Sequence, residues 1–129
     1  MNKKFLIAGA IFGFLGVITG AFAAHGLRPL ITAESFQSFE TGVKYQMYHA
    51  LFLLILGLKP FLSPKLLGIV FYLLIFGVLF FSGSIYLLAT NNLSGFDFRS
   101  IALITPLGGM LLIIAWLLTL ISAIKLKKK

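Results

Sequence analysis

With 129 residues, of which 60% are hydrophobic and only 11% charged, the chain is too apolar to carry a water-soluble exterior. A mean hydropathy of +1.06 points to lipid as its solvent and leaves no room for a separate soluble domain, so residues 1–129 read as a single membrane domain. The absence of cysteine excludes disulfides, thiolate metal sites, iron–sulfur clusters and thiol catalysis. The net charge of +8 follows helix ends rather than a nucleic-acid-binding stripe, so no nucleic acid partner is expected.

Hydropathy predicts four helices, at about 5–24, 33–58, 66–89 and 101–124. The apolar runs Phe5 to Ala24, Leu66 to Ala89 and Ile101 to Ile124 would each rise roughly 30 to 36 Å, enough for a hydrocarbon core of about 30 Å. Lys3, Lys4, the first run and Ala21-Phe22-Ala23 share features with a cleavable leader. The run is already of spanning length, however, and reads as a retained helix. Gly9, Gly13, Gly16 and Gly20 fall on one face of it, where another helix can approach closely; packing within the monomer is favoured over a self-association seam.

Gly26-Leu27-Arg28-Pro29 should end the first helix, and Thr32 is the expected N-cap of the second, with Glu34 in its first turn. The apolar part of the second helix, Tyr45 to Leu58, rises only about 21 Å. The helix must therefore begin at the outer interface, where Phe36, Phe39 and Val43 recur at helical spacing among Glu34, Gln37, Glu40 and Lys44. Lys59-Pro60 ends it, Leu62 to Lys65 forms a short turn with Pro64 suited to the next helix start, and the chain thus forms two helical hairpins. Asn91 to Ser100, with Asn91-Asn92 and Ser94-Gly95, is the outer connection. Pro106, close before Gly108-Gly109, suggests a local kink and tight packing in the fourth helix.

The expected fold is all-α, an integral membrane four-helix bundle. Lys3, Lys4, Lys59, Lys65, Lys125, Lys127, Lys128 and Lys129 share one side, while Arg28, Lys44, Arg99, Glu34, Glu40 and Asp97 share the other. Positive residues mark the inside, so both termini are expected in the cytoplasm of a multi-pass cell-membrane protein whose lysine tail touches anionic lipid.

Embedded polar and small residues gather toward the outer side: His25, Gln46, His49, Ser82, Ser84, Tyr86 and Thr105, with Gly83, Gly108 and Gly109 as further packing positions. Gln46 and His49, three residues apart, share a face. An ionisable residue within a span faces the bundle or water and is a functional candidate by default. The competing structural reading is a neutral His49 that bonds a serine, threonine or backbone carbonyl and fixes helix pairing. His25 reads as a helix-end residue that would contribute chemistry only by joining His49 in one pocket. Two histidines without a nearby carboxylate fall short of a metal site, and Ser82 and Ser84 lack an identified base, so no metal, cofactor or catalytic set is expected. Tyr45, Tyr48, Tyr86 and Trp116 suit interfacial or packing roles, Trp116 as an anchor toward the inner end.

Four segments carry a family resemblance: Gly20-Ala21-Phe22-Ala23-Ala24-His25-Gly26-Leu27, Thr41-Gly42-Val43-Lys44-Tyr45-Gln46-Met47-Tyr48-His49-Ala50, Phe81-Ser82-Gly83-Ser84-Ile85-Tyr86 and Thr105-Pro106-Leu107-Gly108-Gly109. Their order through all four helices resembles uncharacterised protein family 0382, also called domain of unknown function 423. Ala23 departs from the family's Gly-Ala-Phe-Gly pattern, which bears on local packing only. The resemblance implies a bacterial-type cell-membrane protein and supplies no substrate, reaction or catalytic residue. The residues favour a non-enzymatic structural, accessory or ligand-binding protein whose outer polar region meets a protein partner, a second copy or a small lipid-like molecule. The alternative is transport of a proton or small solute by an oligomer, with Gln46, His49 and Tyr86 lining the route, although few polar groups beyond Thr119 and Ser122 continue it inward. An intramembrane enzyme built on a Ser-His pair ranks third.

Overall fold

The computed structural model describes residues 1–93 and 98–127. The turn signal Ser94-Gly95, Asp97, Lys128 and Lys129 lie outside the described residues. Helices α1 (Lys3–Phe22), α2 (Ala33–Leu58), α3 (Pro64–Ala89) and α4 (Ile104–Ile124) pack in chain order, α1 on α2, α2 on α3 and α3 on α4. The two hairpins are α1–α2 and α3–α4. At the lysine-bearing end the chain is tied across the first hairpin, where the Asn2 N–H donates to the Gly57 carbonyl at 2.7 Å.

Local chemistry sets the boundaries. Thr32 caps α2, its hydroxyl accepting from the Ser35 N–H at 3.1 Å, a contact that contributes about 1 kcal/mol in comparable helices. The third helix begins two residues before the expected Leu66 because Ser63 caps it, accepting from the Leu66 N–H at 3.3 Å, while Pro64 takes the first helical position, where no N–H is needed. The fourth begins at Ile104 rather than 101. A start at 101 would require a bond from the missing Pro106 N–H to Ala102; with Ile104 as the first residue, Pro106 falls among the positions that need no intrahelical donor. Pro106 therefore sets where α4 starts and does not kink it.

The first helix does not stop at Ala24. It runs into a π turn, Ala23–Leu27, and a 3-10 turn, Arg28–Leu30. The wide turn keeps Ala23 and Leu27 inward, where they form a small core with Phe39 and Ala89, and leaves His25 and Gly26 outside. The larger core is built on Phe5, Leu53, Leu56, Val70, Leu74 and Ala115. Around it the outer wall is apolar, with Phe14, Val17, Ile113 and Leu120 exposed, as a lipid solvent permits.

Lys3–Leu30, Pro64–Ala89 and Ile104–Ile124 are each long and apolar enough to cross a membrane. The 26 residues of α2 rise about 39 Å, so it matches their reach although its first half carries Glu34, Glu40 and Lys44.

Candidate functional site

Glycines permit close approach at all three contacts between successive helices. A Cβ at Gly9 would lie 2.8 Å from the Ala50 carbonyl oxygen, one at Gly16 2.5 Å from Met47 Sδ and one at Gly57 2.9 Å from the Leu6 side chain, so α1 and α2 approach closely at these three positions. Gly13 and Gly20, on the same face of α1, have ordinary van der Waals room toward Ala50 and Val43. Between α3 and α4 the contact is backbone on backbone: a Cβ at Gly108 would lie 2.9 Å from both the Gly77 carbonyl oxygen and Phe80 C. Gly77, absent from the expected packing positions, is the α3 counterpart of Gly108. Gly83, which was expected there, has nothing within 4 Å. Ser82 and Ser84 turn toward α2 and α4 respectively, and the residue between them, about 100° from each around the helix, is directed away from both contacts. Gly109 has only ordinary contact with the Phe81 ring.

The polar side chains separate into three ties. Gln46, buried in α2, donates from Nε2 to the Phe12 carbonyl of α1 at 2.8 Å and accepts on Oε1 from the Tyr86 hydroxyl of α3 at 2.6 Å. Beside it Ser82 donates to the Gly42 carbonyl at 2.7 Å, where the missing Gly42 side chain makes space for the Tyr86 ring. Ser84 and Thr105 bond each other across α3 and α4. Among the described residues no buried side-chain nitrogen or oxygen lacks a partner, which lipid burial demands.

The third tie joins α2 to α4. The Trp116 indole Nε1–H donates to His49 Nε2 at 3.0 Å, and His49 Nδ1 lies 2.6 Å from the Tyr45 carbonyl. Indole is a donor only, so Nε2 accepts and Nδ1 carries the ring proton, donating it to Tyr45. These bonds describe a neutral ring with both nitrogens engaged. The rings of Trp116 and Phe52 lie 4.1 Å apart, and Tyr45 packs against Phe81 at 4.8 Å.

The rings of Tyr45, Phe81 and Trp116 border a cleft of about 640 Å³ between α2 and α4, lined also by Tyr48, His49 and aliphatic neighbours. Its mouth is lateral: Tyr48, Leu51 and Ile113 are each more than half exposed. His49 lies nine residues before the end of α2 at Leu58, and Trp116 eight before the end of α4 at Ile124. That is about 12–14 Å of rise from the lysine-bearing ends of their own helices. Trp116, expected in an interfacial or packing role, is the partner of His49.

His25 is exposed in the π turn and does not line the His49 cleft. No Ser-His pair forms, because Ser82 and Ser84 are bonded to Gly42 and Thr105 while His49 bonds Tyr45 and Trp116. Among the described residues no three His, Cys, Asp or Glu side chains gather for a metal ion. The expected outer cluster is thus three separate helix ties, and Trp116 is the member that its sequence context did not announce.

The model of a family described as Protein of unknown function (DUF423) matches residues 19–109. A UPF0382 membrane protein of Staphylococcus saprophyticus is 41% identical over 96% of this chain and 99% of its own. YwdK of Bacillus subtilis, a UPF0382 membrane protein, is 41% identical over 95% of this chain and 98% of its own. The UPF0382 inner membrane protein YgdD of Escherichia coli is 40% identical over 100% and 96%. No solved structure matches. Apolar helices of spanning length and relatives that are membrane proteins along nearly the whole chain agree: this is a membrane protein belonging to the DUF423, or UPF0382, family.

Proposed function

We propose that the chain is a non-enzymatic binding protein of the cell membrane, with both termini cytoplasmic, that receives a lipid-like molecule through the cleft between α2 and α4. The observation that carries this reading is the cleft itself. Its volume of about 640 Å³ lies in the range of small-molecule sites, its walls are rings and aliphatic chains, and its mouth faces the side from which a membrane-dissolved molecule arrives. The His49–Trp116 bond fixes its floor in advance, so little ordering is left to the binding step. The concentration of lysines at one end supports the assigned orientation.

The test is native mass spectrometry of the protein released from lipid nanodiscs. A retained small-molecule adduct is expected, lost in Ile113→Trp, which fills the mouth without touching the His49–Trp116 bond. A clean protein mass, or retention of every adduct in Ile113→Trp, would overturn the reading. Transport by an oligomer ranks lower because the hydroxyls of Thr119 and Ser122 are bonded to the Ala115 and Leu118 carbonyls of their own helix, which leaves them poor stepping stones. His49-dependent flux in liposomes would reverse that ranking.

A further inference from the structure

A different region, at the lysine-bearing end, has the makings of a second site. The Lys4 ammonium lies 4.5 Å from the centroid of the Phe71 ring and 5.1 Å from that of Tyr72. These residues are seven and eight positions into α3 from Pro64, about 10–12 Å along its axis. Ser82, 18 residues from Pro64, bonds Gly42, 16 residues before Leu58, and Asn2 bonds Gly57, so the start of α1 and the end of α2 lie about 3 Å inside the start of α3. On the other hairpin Gly108 packs on Gly77, which is 13 residues from Pro64, while Ile124 is 16 beyond Gly108, so α4 ends close to the level where α3 begins. The lysines consequently stand in two tiers. Lys3, Lys4 and Lys59 occupy the recessed tier, and Lys65, Lys125 and Lys127 the outer one.

The step between the tiers lies within one headgroup layer of a bilayer, about 5–8 Å. Both glutamates lie in the first half of α2, at the opposite end, so among the described side chains no carboxylate answers these charges. Tyr72 is 55% exposed, and its hydroxyl has no hydrogen-bond partner among the described residues. Tyr72 also begins a wholly apolar groove of about 360 Å³ that runs between α3 and α4 along Ile69, Leu73, Phe76 and Leu111. A cation, a free phenol donor and an apolar channel therefore meet at one residue.

We propose that this step binds one anionic phospholipid, its phosphate on the Lys4 ammonium and the Tyr72 hydroxyl and one acyl chain in the α3–α4 groove. The cation–π contacts hold the Lys4 ammonium beside the rings instead of leaving it to sample water, and an ammonium accepts a phosphate as a point charge. A zwitterionic lipid offers the same chain but brings its own cation to a tier that already has three lysines. Binding here is independent of the α2–α4 cleft, since no residue lines both.

The full chain would be placed in nanodiscs of phosphatidylcholine containing phosphatidylglycerol, and the lipids retained after release counted by native mass spectrometry. One phosphatidylglycerol per chain is expected to survive release. It should be lost in Lys4→Gln, kept in Lys4→Arg, weakened several-fold in Tyr72→Phe, and kept in Lys127→Gln. Ile69→Trp, which fills the groove without altering charge, should also remove it, and Trp116 emission reports that each variant remains folded. Equal retention in Lys4→Gln and wild type, or losses that follow the number of lysines removed wherever they lie, would reduce the effect to diffuse attraction and overturn the site. Displacement by millimolar inorganic phosphate, with Ile69→Trp behaving as wild type, would assign the step to free phosphate and equally overturn the lipid.

Discussion

The seam between α3 and α4 makes the sharpest demand on sequence, and Gly108→Ala tests it. A Cβ at this position would press on the Phe81 backbone nitrogen and lie 2.9 Å from the Gly77 carbonyl oxygen and Phe80 C, where ordinary contact begins near 3.4 Å. All three atoms are backbone, so no rotamer change relieves the overlap and the helices must separate by about 0.5 Å or more. Overpacking of this kind costs about 1–3 kcal/mol, and the close α3–α4 contact that holds a bundle together in lipid is lost with it. We therefore expect Gly108→Ala to be destabilised by about 2–3 kcal/mol. Gly83→Ala is the matched control: nothing lies within 4 Å, and alanine is the better helix former by roughly 0.5–1 kcal/mol, so a small gain is expected. Equilibrium unfolding in mixed micelles, followed by Trp116 fluorescence and far-ultraviolet circular dichroism, measures both. Equal stability of the two variants would refute the backbone-to-backbone seam.

Four further outcomes follow from the polar ties and the topology. Gln46→Leu should cost about 1–2 kcal/mol by removing the bonds to Phe12 and Tyr86, and a double-mutant cycle with Tyr86→Phe should show a coupling of about 0.5–1.5 kcal/mol; strict additivity would argue against the Gln46–Tyr86 bond. Nitrogen NMR of His49 should report a ring protonated at Nδ1 alone, with the Nε2 resonance moved by Trp116→Phe; a proton on Nε2 contradicts the indole bond. Trp116 fluorescence should be quenched more strongly by lipids brominated deep in their chains than by lipids brominated near the headgroup, and the reverse profile would return Trp116 to the interface. Reporter fusions at both termini should be active in the cytoplasm; activity of either outside would overturn the assigned orientation.

Helix number and the ends of α2 were legible because each rests on local chemistry: an apolar run of spanning length, Thr32 as cap, Lys59-Pro60 as stop. The starts of α3 and α4 were misplaced for an equally local reason. Ser63 and Pro106 mark the first turns of their helices, and a reading based on where the apolar run begins passes over both. That embedded polar side chains would bond across helices was legible; which of them meet was not. Gln46 and His49 share a helix face, yet Gln46 reaches α1 and α3 while His49 reaches α4, because contact depends on the rotation of neighbouring helices. Trp116 could not have been paired with His49 from spacing alone, because their contact depends on how far each helix is shifted along the bundle.

The placement of the ties bears on how the cleft exists at all. Gln46 joins α2 to both of its neighbours, and Ser84 with Thr105 joins α3 to α4, so these bonds reinforce seams that packing already makes. His49–Trp116 is different, because α2 and α4 are not adjacent in the packing order and meet across the face of α3 through long side chains. A bond between non-adjacent helices acts as a strut: it fixes their separation over Phe81, and that separation is the width of the cleft. Removing either ring would therefore change the shape of the site as well as its chemistry, and loss of a ligand in a His49 variant would not by itself separate binding from packing. Ile113 does separate them, since it lines the mouth, is largely exposed and takes no part in the strut. A ligand sensitive to Ile113→Trp while the His49 nitrogen resonances stay unchanged would be bound by the cleft and not merely by an intact bundle.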